Sequence, residues 1–532
     1  MRKEIIIQLD NSEIEIEDIN LVANGKVEVK LSKSVFNFLE QGREQLEKRL
    51  VENHVIYGIN TGFGGNANVL IGSDLLQRHQ CKLLDSLNCG TGDYFPIPYV
   101  RASQFIIVLA LSRGWSAVRP VVVKTLLQHL NLGITPQVPI YGSVGASGDL
   151  LPLSYIAQSL CGKGMVYYKG NVISAQEALS LTGISEIKLQ SKEGLALING
   201  TRVISAVSSL TLHQFEKCFE ATIGAVSLIV EALQANTGHY DNRIHLIKGH
   251  PGQIQVANML RQYLDCDDYQ KSISKNVEIM CKLNSFGNEG TTEELNEPVQ
   301  EVYSLRCAPQ ILGVIIEQIQ KAKETCKIEY LSVNDNPLID PYNGDPLSGG
   351  NFMGNHMARV MDGIKIDITL VANHLHSLVA LLMHKHFSRG LPNSLSAQPG
   401  LSGLKGMQIS HSSLVAWLRQ EASPACIHNL VTEQFNQDVV SLGLHSAWGS
   451  KLMIEKLLNV ISMTLIIACQ AIDLRKEKLV GNFKLSTQTE MLYNSIRKIV
   501  PKLIEDRVTD IDIKSLSVEI QNSTLPFLKF QQ

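Results

Sequence analysis

At 532 residues, 44% hydrophobic and 19% charged, the chain has enough apolar content to bury a large core and too little charge for a disordered polymer. A formal net charge of -3 with mixed signs lacks the basic stripe that phosphate backbones require, which argues against a nucleic-acid partner. The ten cysteines are scattered with no CxxC pair or metal-type cluster, and the N-terminus carries no signal-peptide pattern, so a reduced, cytoplasmic protein is expected.

Strand-like patterns are few and mostly early, at Glu4–Leu9 and Lys26–Leu31, then at Met165–Tyr168 and Asn171–Ile173. From about residue 200, apolar residues recur at helical spacing over Val203–Leu233, Pro309–Lys327, Ala358–Phe387 and Val440–Leu474. Helices apolar on most faces must pack against one another. The pattern therefore predicts a mainly α fold, with a long central helical bundle and a smaller N-terminal domain holding the few strands. The expected divisions are 1–206, 207–440 and 441–532. Polar groups such as Asn373, His374 and His376 interrupt the longest apolar stretches, so no clean membrane span is expected.

The loops around 57–68, 139–152, 332–354 and 388–406 are rich in Gly, Asn, Pro and Ser, and loops on a rigid scaffold are where chemistry concentrates. The most informative is Tyr141-Gly-Ser-Val-Gly-Ala-Ser-Gly-Asp-Leu-Leu-Pro-Leu-Ser154. It lacks the Lys-Ser/Thr ending of a phosphate loop and the spacing of a dinucleotide fingerprint, and Ser147 runs directly into Gly148, unlike a nucleophile elbow. One chemistry needs Ala-Ser-Gly in this order. In a sharp bend the amide nitrogen of Gly148 can attack the Ala146 carbonyl carbon, an approach open only to a residue without Cβ. Loss of water from the ring and from the Ser147 side chain leaves a methylidene-imidazolone, a conjugated and strongly electrophilic alkene. Asp149 is placed to assist the proton transfers. A glycine-rich turn before a helix starting near Leu150 explains the same tetrapeptide.

The surrounding residues resemble one family, the aromatic amino acid lyases: histidine, phenylalanine and tyrosine ammonia-lyases and related 2,3-aminomutases. The likeness runs through Tyr57-Gly-Ile-Asn-Thr-Gly-Phe-Gly64, the Ala-Ser-Gly segment, Glu193-Gly-Leu-Ala-Leu-Ile-Asn-Gly-Thr201 and Val299-Gln-Glu-Val-Tyr-Ser-Leu-Arg306. Asn334-Asp-Asn-Pro-Leu338, Gly349-Gly-Asn-Phe352 and Asn436-Gln-Asp438 complete it. The resemblance implies a homotetramer whose active sites draw on three subunits, and a methylidene-imidazolone formed from Ala146, Ser147 and Gly148 with no external cofactor.

It also implies roles. Tyr57 is the base for the β-proton, which requires a phenol pKa lowered by its surroundings. Arg306 offers its guanidinium fork to the substrate carboxylate, and Tyr303 and Gln300 act on the electrophile and bound amino acid. Asn199 donates to the imidazolone oxygen, and Phe352 packs the precursor tripeptide into its bend. Lys405, Glu433 and Gln437 match polar pocket positions.

Ser86-Leu87 falls on the family's specificity pair, and departs from the usual Phe-Leu, His-Leu and Ser-His combinations. Leu87 cannot hydrogen-bond an imidazole or a phenol, and leaving such a group unpaired costs about 1–3 kcal/mol. Gln437 stands where histidine lyases carry a Glu. Ser86 complicates matters, being small and polar enough for a para-hydroxyl. The stretches at 354–362 and 387–396 look most like bacterial phenylalanine lyases, so the expected reaction is phenylalanine to trans-cinnamate, followed by tyrosine, histidine or a 2,3-aminomutase outcome. A catalytically inactive binding or assembly protein is the alternative of another class. His374, His376, His384 and His386 prompt a metal reading, but spacings of two place neighbours on different helix faces and no HExxH is present, so no metal is expected.

Overall fold

The computed structural model describes residues 3–266, 300–479 and 483–530. The fold is mainly α, with 18 α-helices and a few short strands among the described residues. The chain forms two compact units: Met1–His213, Ala322–Gly363 and Pro424–Lys451 make the first, and Gln214–Lys321, Ile364–Ser423 and Leu452–Gln532 the second.

In the first unit, strands Lys3–Ile7 and Val27–Leu31 pair in parallel around helix Ile16–Ala23. The first strand is shorter than its apolar run. The Asn11 side chain takes both backbone groups of Gln8, accepting from its N–H and donating to its carbonyl at 2.9 Å each, and so turns the chain away. Helix Ile97–Leu111 is buried on every face from Val100 onward and forms the core of this unit. Met165–Tyr168 pairs antiparallel with Asn171–Ser174, close to the two strand-like segments read from the sequence. A further pair, Thr91–Tyr94 with Pro139–Tyr141, leads straight into the Ala-Ser-Gly loop. Three helices then frame that loop. Leu150–Leu160 begins directly after it and packs against both Glu193–Ile198 and Leu76–Leu87.

The second unit is built on the long helices. Helix Arg202–Leu233 enters it from residue 214, and Gly443–Lys478 enters it from residue 452. The latter starts later than its apolar run, because Leu442 adopts a φ of +52° that no α-helix accommodates. Helix Asn355–Leu382 stops short of Phe387, where the Lys385 N–H is taken by Asn393 Oδ1 at 2.8 Å instead of by the helix. By length and mean hydropathy alone, Asn355–Leu382 and Gly443–Lys478 would both pass as membrane spans, a test that the buried helices of a bundle also pass. In Gly443–Lys478, 94% of the most apolar window is buried inside the protein, which is the pattern of a core helix.

Candidate active site

The Ala146-Ser147-Gly148 segment is sharply bent and held from two sides. Ser147 has a φ of +56°, Gly148 +76° and Gly145 +72°. A serine in the left-handed region is strained, and such strain persists only where neighbours enforce it. On one side Asp149 N donates to Gly200 O at 2.8 Å and Gly200 N to Ser147 O at 3.2 Å. A Cβ at position 148 would lie 2.2 Å from Gly200 O, so glycine is required there. On the other side Leu442 N donates to Val144 O at 3.0 Å and Ser441 Oγ to Gly145 O at 3.1 Å. Ala146 packs into a small apolar cluster with Val440 and Leu442. A pre-bent tripeptide with a glycine nitrogen free of any Cβ fits the cyclisation that the imidazolone requires.

The Ser147 carbonyl oxygen, which becomes the ring oxygen, accepts from Asn199 Nδ2 at 2.8 Å as well as from Gly200 N. Two donors aimed at one carbonyl form an oxyanion-hole arrangement. Asn199 is carried by the C-terminus of helix Glu193–Ile198. That helix is fixed at its start by a two-pronged ion pair: Arg119 Nε to Glu193 Oε1 at 2.7 Å and Nη2 to Oε2 at 2.8 Å.

Asp149 is fully buried, and its Oδ2 accepts from Val203 N at 2.9 Å and Ile204 N at 2.8 Å. The carboxylate thus caps the N-terminus of the long helix Arg202–Leu233, tying the electrophile loop to a rigid element. Its Oδ1 has no hydrogen-bond partner. Burial pushes its pKa up to about 7, against the two backbone N–H groups and the nearby Arg202 charge. The Asn334-Asp335 motif plays a scaffolding part. Asp335 is paired with the equally buried Lys192 and accepts from Ser116 Oγ at 2.9 Å, while Asn334 Nδ2 donates to Thr201 Oγ1 at 2.9 Å.

A cavity of about 1220 Å³ opens in front of this segment. It brings together Tyr57, Ala146, Ser147, Gly148, Asn199 and Phe352. Ser86 and Leu87 line it from helix Leu76–Leu87, and Glu433 and Gln437 from the segment before the last helix of the first unit. Ser86 Oγ donates to the Leu83 carbonyl of its own helix at 2.8 Å, and Thr432 Oγ1 donates to Gln437 Oε1 at 2.7 Å. Phe63 and His79, which the motifs left without a role, also line it, with rings stacked at 4.2 Å between centroids. For His79 the sequence signal is spacing: His79, Leu83, Ser86 and Leu87 recur at three and four residues, on one helix face.

Tyr57 departs from expectation. Its hydroxyl oxygen accepts from Gly64 N at 2.9 Å. Burial raises its pKa above the ordinary phenol value, the Gly64 N–H lowers it in part, and the Glu433 carboxylate raises it further. Within this chain the environment is therefore the reverse of what a neutral-pH base needs, first because burial disfavours the phenolate and then because the nearby charge is negative.

Gln300, Tyr303, Arg306 and Lys405 belong to the second unit, and none lines the cavity of the first. The first three form their own cluster: Arg306 Nη1 donates to Gln300 Oε1, and the guanidinium lies 4.7 Å over the Tyr303 ring. Tyr303 is 69% exposed. Lys405 starts helix Lys405–Glu421 and is exposed. Of the four histidines, His374 is buried with Nε2 2.7 Å from Ser304 O, and His376 stacks on His411 at 5.8 Å. His384 and His386 are exposed neighbours at 5.3 Å.

A bent Ala-Ser-Gly under two carbonyl donors, facing a cavity with a tyrosine, defines an enzyme site that makes its own electrophile. The family model for aromatic amino acid lyase matches residues 14–498. A hal-like protein of Dictyostelium discoideum is 58% identical, covering 98% of this chain and 97% of its own length. Histidine ammonia-lyase of Geobacillus thermodenitrificans is 36% identical, with 92% of each chain covered. Among solved structures, Pantoea agglomerans phenylalanine aminomutase is similar with a TM-score of 0.91 and 32% identity, covering 98% of this chain and 99% of that one. The chain belongs to the aromatic amino acid lyase family and is a carbon–nitrogen lyase. The family's prosthetic group is the methylidene-imidazolone, for which this chain supplies Ala146, Ser147 and Gly148. The expected nearness to bacterial phenylalanine lyases finds no support in these relatives, which are named for histidine ammonia-lyase or an aminomutase.

Proposed function

We propose that the protein eliminates ammonia from L-phenylalanine to give trans-cinnamate. The formed ring supplies an electrophilic alkene for the substrate amine. Asn199 Nδ2 and Gly200 N–H hold the oxygen on which negative charge gathers. Tyr57 Oη takes the β-proton. Because its own chain raises its pKa, the group that lowers it comes from elsewhere. A cytoplasmic homotetramer supplies it: Gln300, Tyr303 and Arg306 of neighbouring copies complete the site, with Arg306 holding the substrate carboxylate, and Lys405 lies at its edge.

The observation that carries the phenylalanine reading is the Ser86 hydroxyl, whose hydrogen is engaged by the Leu83 carbonyl. With Leu87 beside it, the specificity pair offers no free donor and only the Ser86 oxygen as an acceptor, so a phenol or an imidazole keeps a polar atom without a partner there, and a buried polar group left unpaired costs about 1–3 kcal/mol. Gln437, neutral and already hydrogen-bonded to Thr432, disfavours an imidazole as well. The names of the relatives favour a second reading, histidine as substrate or a 2,3-aminomutase outcome. Incubating the protein separately with phenylalanine, tyrosine and histidine and identifying each product decides between them. Cinnamate as the main product is expected; urocanate, or a β-amino acid, overturns the phenylalanine lyase reading.

A further inference from the structure

Gln80 lies on helix Leu76–Leu87, one residue from the cavity-lining His79, and is completely buried. Its carboxamide is used at both ends. Nε2 donates to the Gly58 carbonyl at 3.1 Å, and Oε1 accepts from Leu195 N at 3.0 Å. Gly58 directly follows Tyr57, and Leu195 lies one helical turn before Asn199, whose N–H donates to the Leu195 carbonyl at 3.0 Å. Neighbouring contacts tighten the same junction. A Cβ on Gly194 would lie 2.9 Å from the Gln80 carbonyl, and one on Gly58 would lie 2.5 Å from the Leu195 side chain. His79 Nε2 sits 3.2 Å from Thr61 O, a second tie between this helix and the tyrosine loop.

We propose that Gln80 is a positioning residue for the reaction, one carboxamide that fixes the Tyr57 loop against the helix carrying Asn199. It touches neither substrate nor electrophile. It sets the distance between the group that takes the β-proton and the group that holds the ring oxygen. The inference rests on the ammonia-lyase reading and deepens it. A glutamine is specific here because the site needs one donor and one acceptor on a single planar group. An ionised glutamate offers acceptors only and faces the Gly58 carbonyl with like polarity, whereas a protonated one regains an O–H donor.

The test compares wild type, Gln80→Leu and Gln80→Glu by kcat and KM, by intact mass, and by hydrogen exchange in peptides spanning 57–64 and 193–199. Both variants should lose two waters as wild type does, since the Ala-Ser-Gly clamp does not involve Gln80. For Gln80→Leu, kcat should fall about 10- to 100-fold with KM within about threefold, and exchange should quicken in both peptides. For Gln80→Glu, the ratio of variant to wild-type kcat should rise as pH falls and the carboxyl takes up its proton. Unchanged kcat in folded variants, a loss confined to KM, or an unmodified mass in both variants overturns the proposal. If Gln80→Leu does not fold, a pH-independent ratio for Gln80→Glu overturns it alone. If wild type deaminates no aromatic amino acid, the functional reading fails, while the exchange measurement still judges Gln80.

Discussion

The side-chain amide of Asn199 donates a 2.8 Å hydrogen bond to the carbonyl oxygen of Ser147, the atom that becomes the ring oxygen of the electrophile. The donor is in place before the ring exists, because Arg119 and Glu193 fix the start of the helix that carries it.

Replacing Asn199 with Ala leaves Gly200 N–H as the remaining donor on that oxygen. Loss of one such donor typically costs about 10²–10³ in kcat. Steady-state kinetics on a variant whose mass shows the two-water loss checks this; a kcat within twofold of wild type would remove Asn199 from the mechanism.

Asp149 bears on formation of the ring. Its Oδ1 is buried without a partner, one residue from the Gly148 nitrogen that must shed a proton. Only the ionised carboxylate accepts that proton, and burial places its pKa at about 7. Ring formation followed by mass after refolding should therefore be slow below pH 7, quicken through it and level off above. A rate that is flat across that range would show that Asp149 is not the acceptor.

Much of this was legible in the sequence, and the reasons differ by element. The long helices announce themselves because burial on most faces demands sustained apolar spacing, as in Arg202–Leu233. The Ala-Ser-Gly chemistry is legible because few reactions need that order of residues. The pair Thr91–Tyr94 with Pro139–Tyr141 was not, since all four residues of the first strand are exposed and show no alternation. The direction of the Tyr57 shift was hidden as well, because it comes first from how deeply the fold buries the phenol and then from Glu433, remote in sequence. Nor does a motif say which unit holds it. Gln300, Tyr303 and Arg306 read as pocket residues, yet they cluster with one another in the second unit.

His411 gives a prediction about stability. It is buried and neutral, its pKa pushed down by desolvation, and further by His376, to about 3. The unfolded histidine titrates near 6.5. Its folded pKa is the lower one, so its contribution is fully present above about pH 6.5 and is lost as pH falls, by about 1.4 kcal/mol per unit. Denaturant unfolding of His411→Leu beside wild type isolates this contribution. The stability difference should shift in favour of the variant by about that slope between pH 6 and 4; parallel curves would contradict it.

The most direct test of the account is the intact mass of the purified protein and of Ser147→Ala, each measured beside its rate of deamination. Wild type is expected to be two waters lighter than its sequence, Ser147→Ala to have the full mass of its own sequence, and deamination to be reduced about 10³-fold or more in the variant. An active wild type at the full unmodified mass, or a Ser147→Ala variant that deaminates at the wild-type rate, would contradict it.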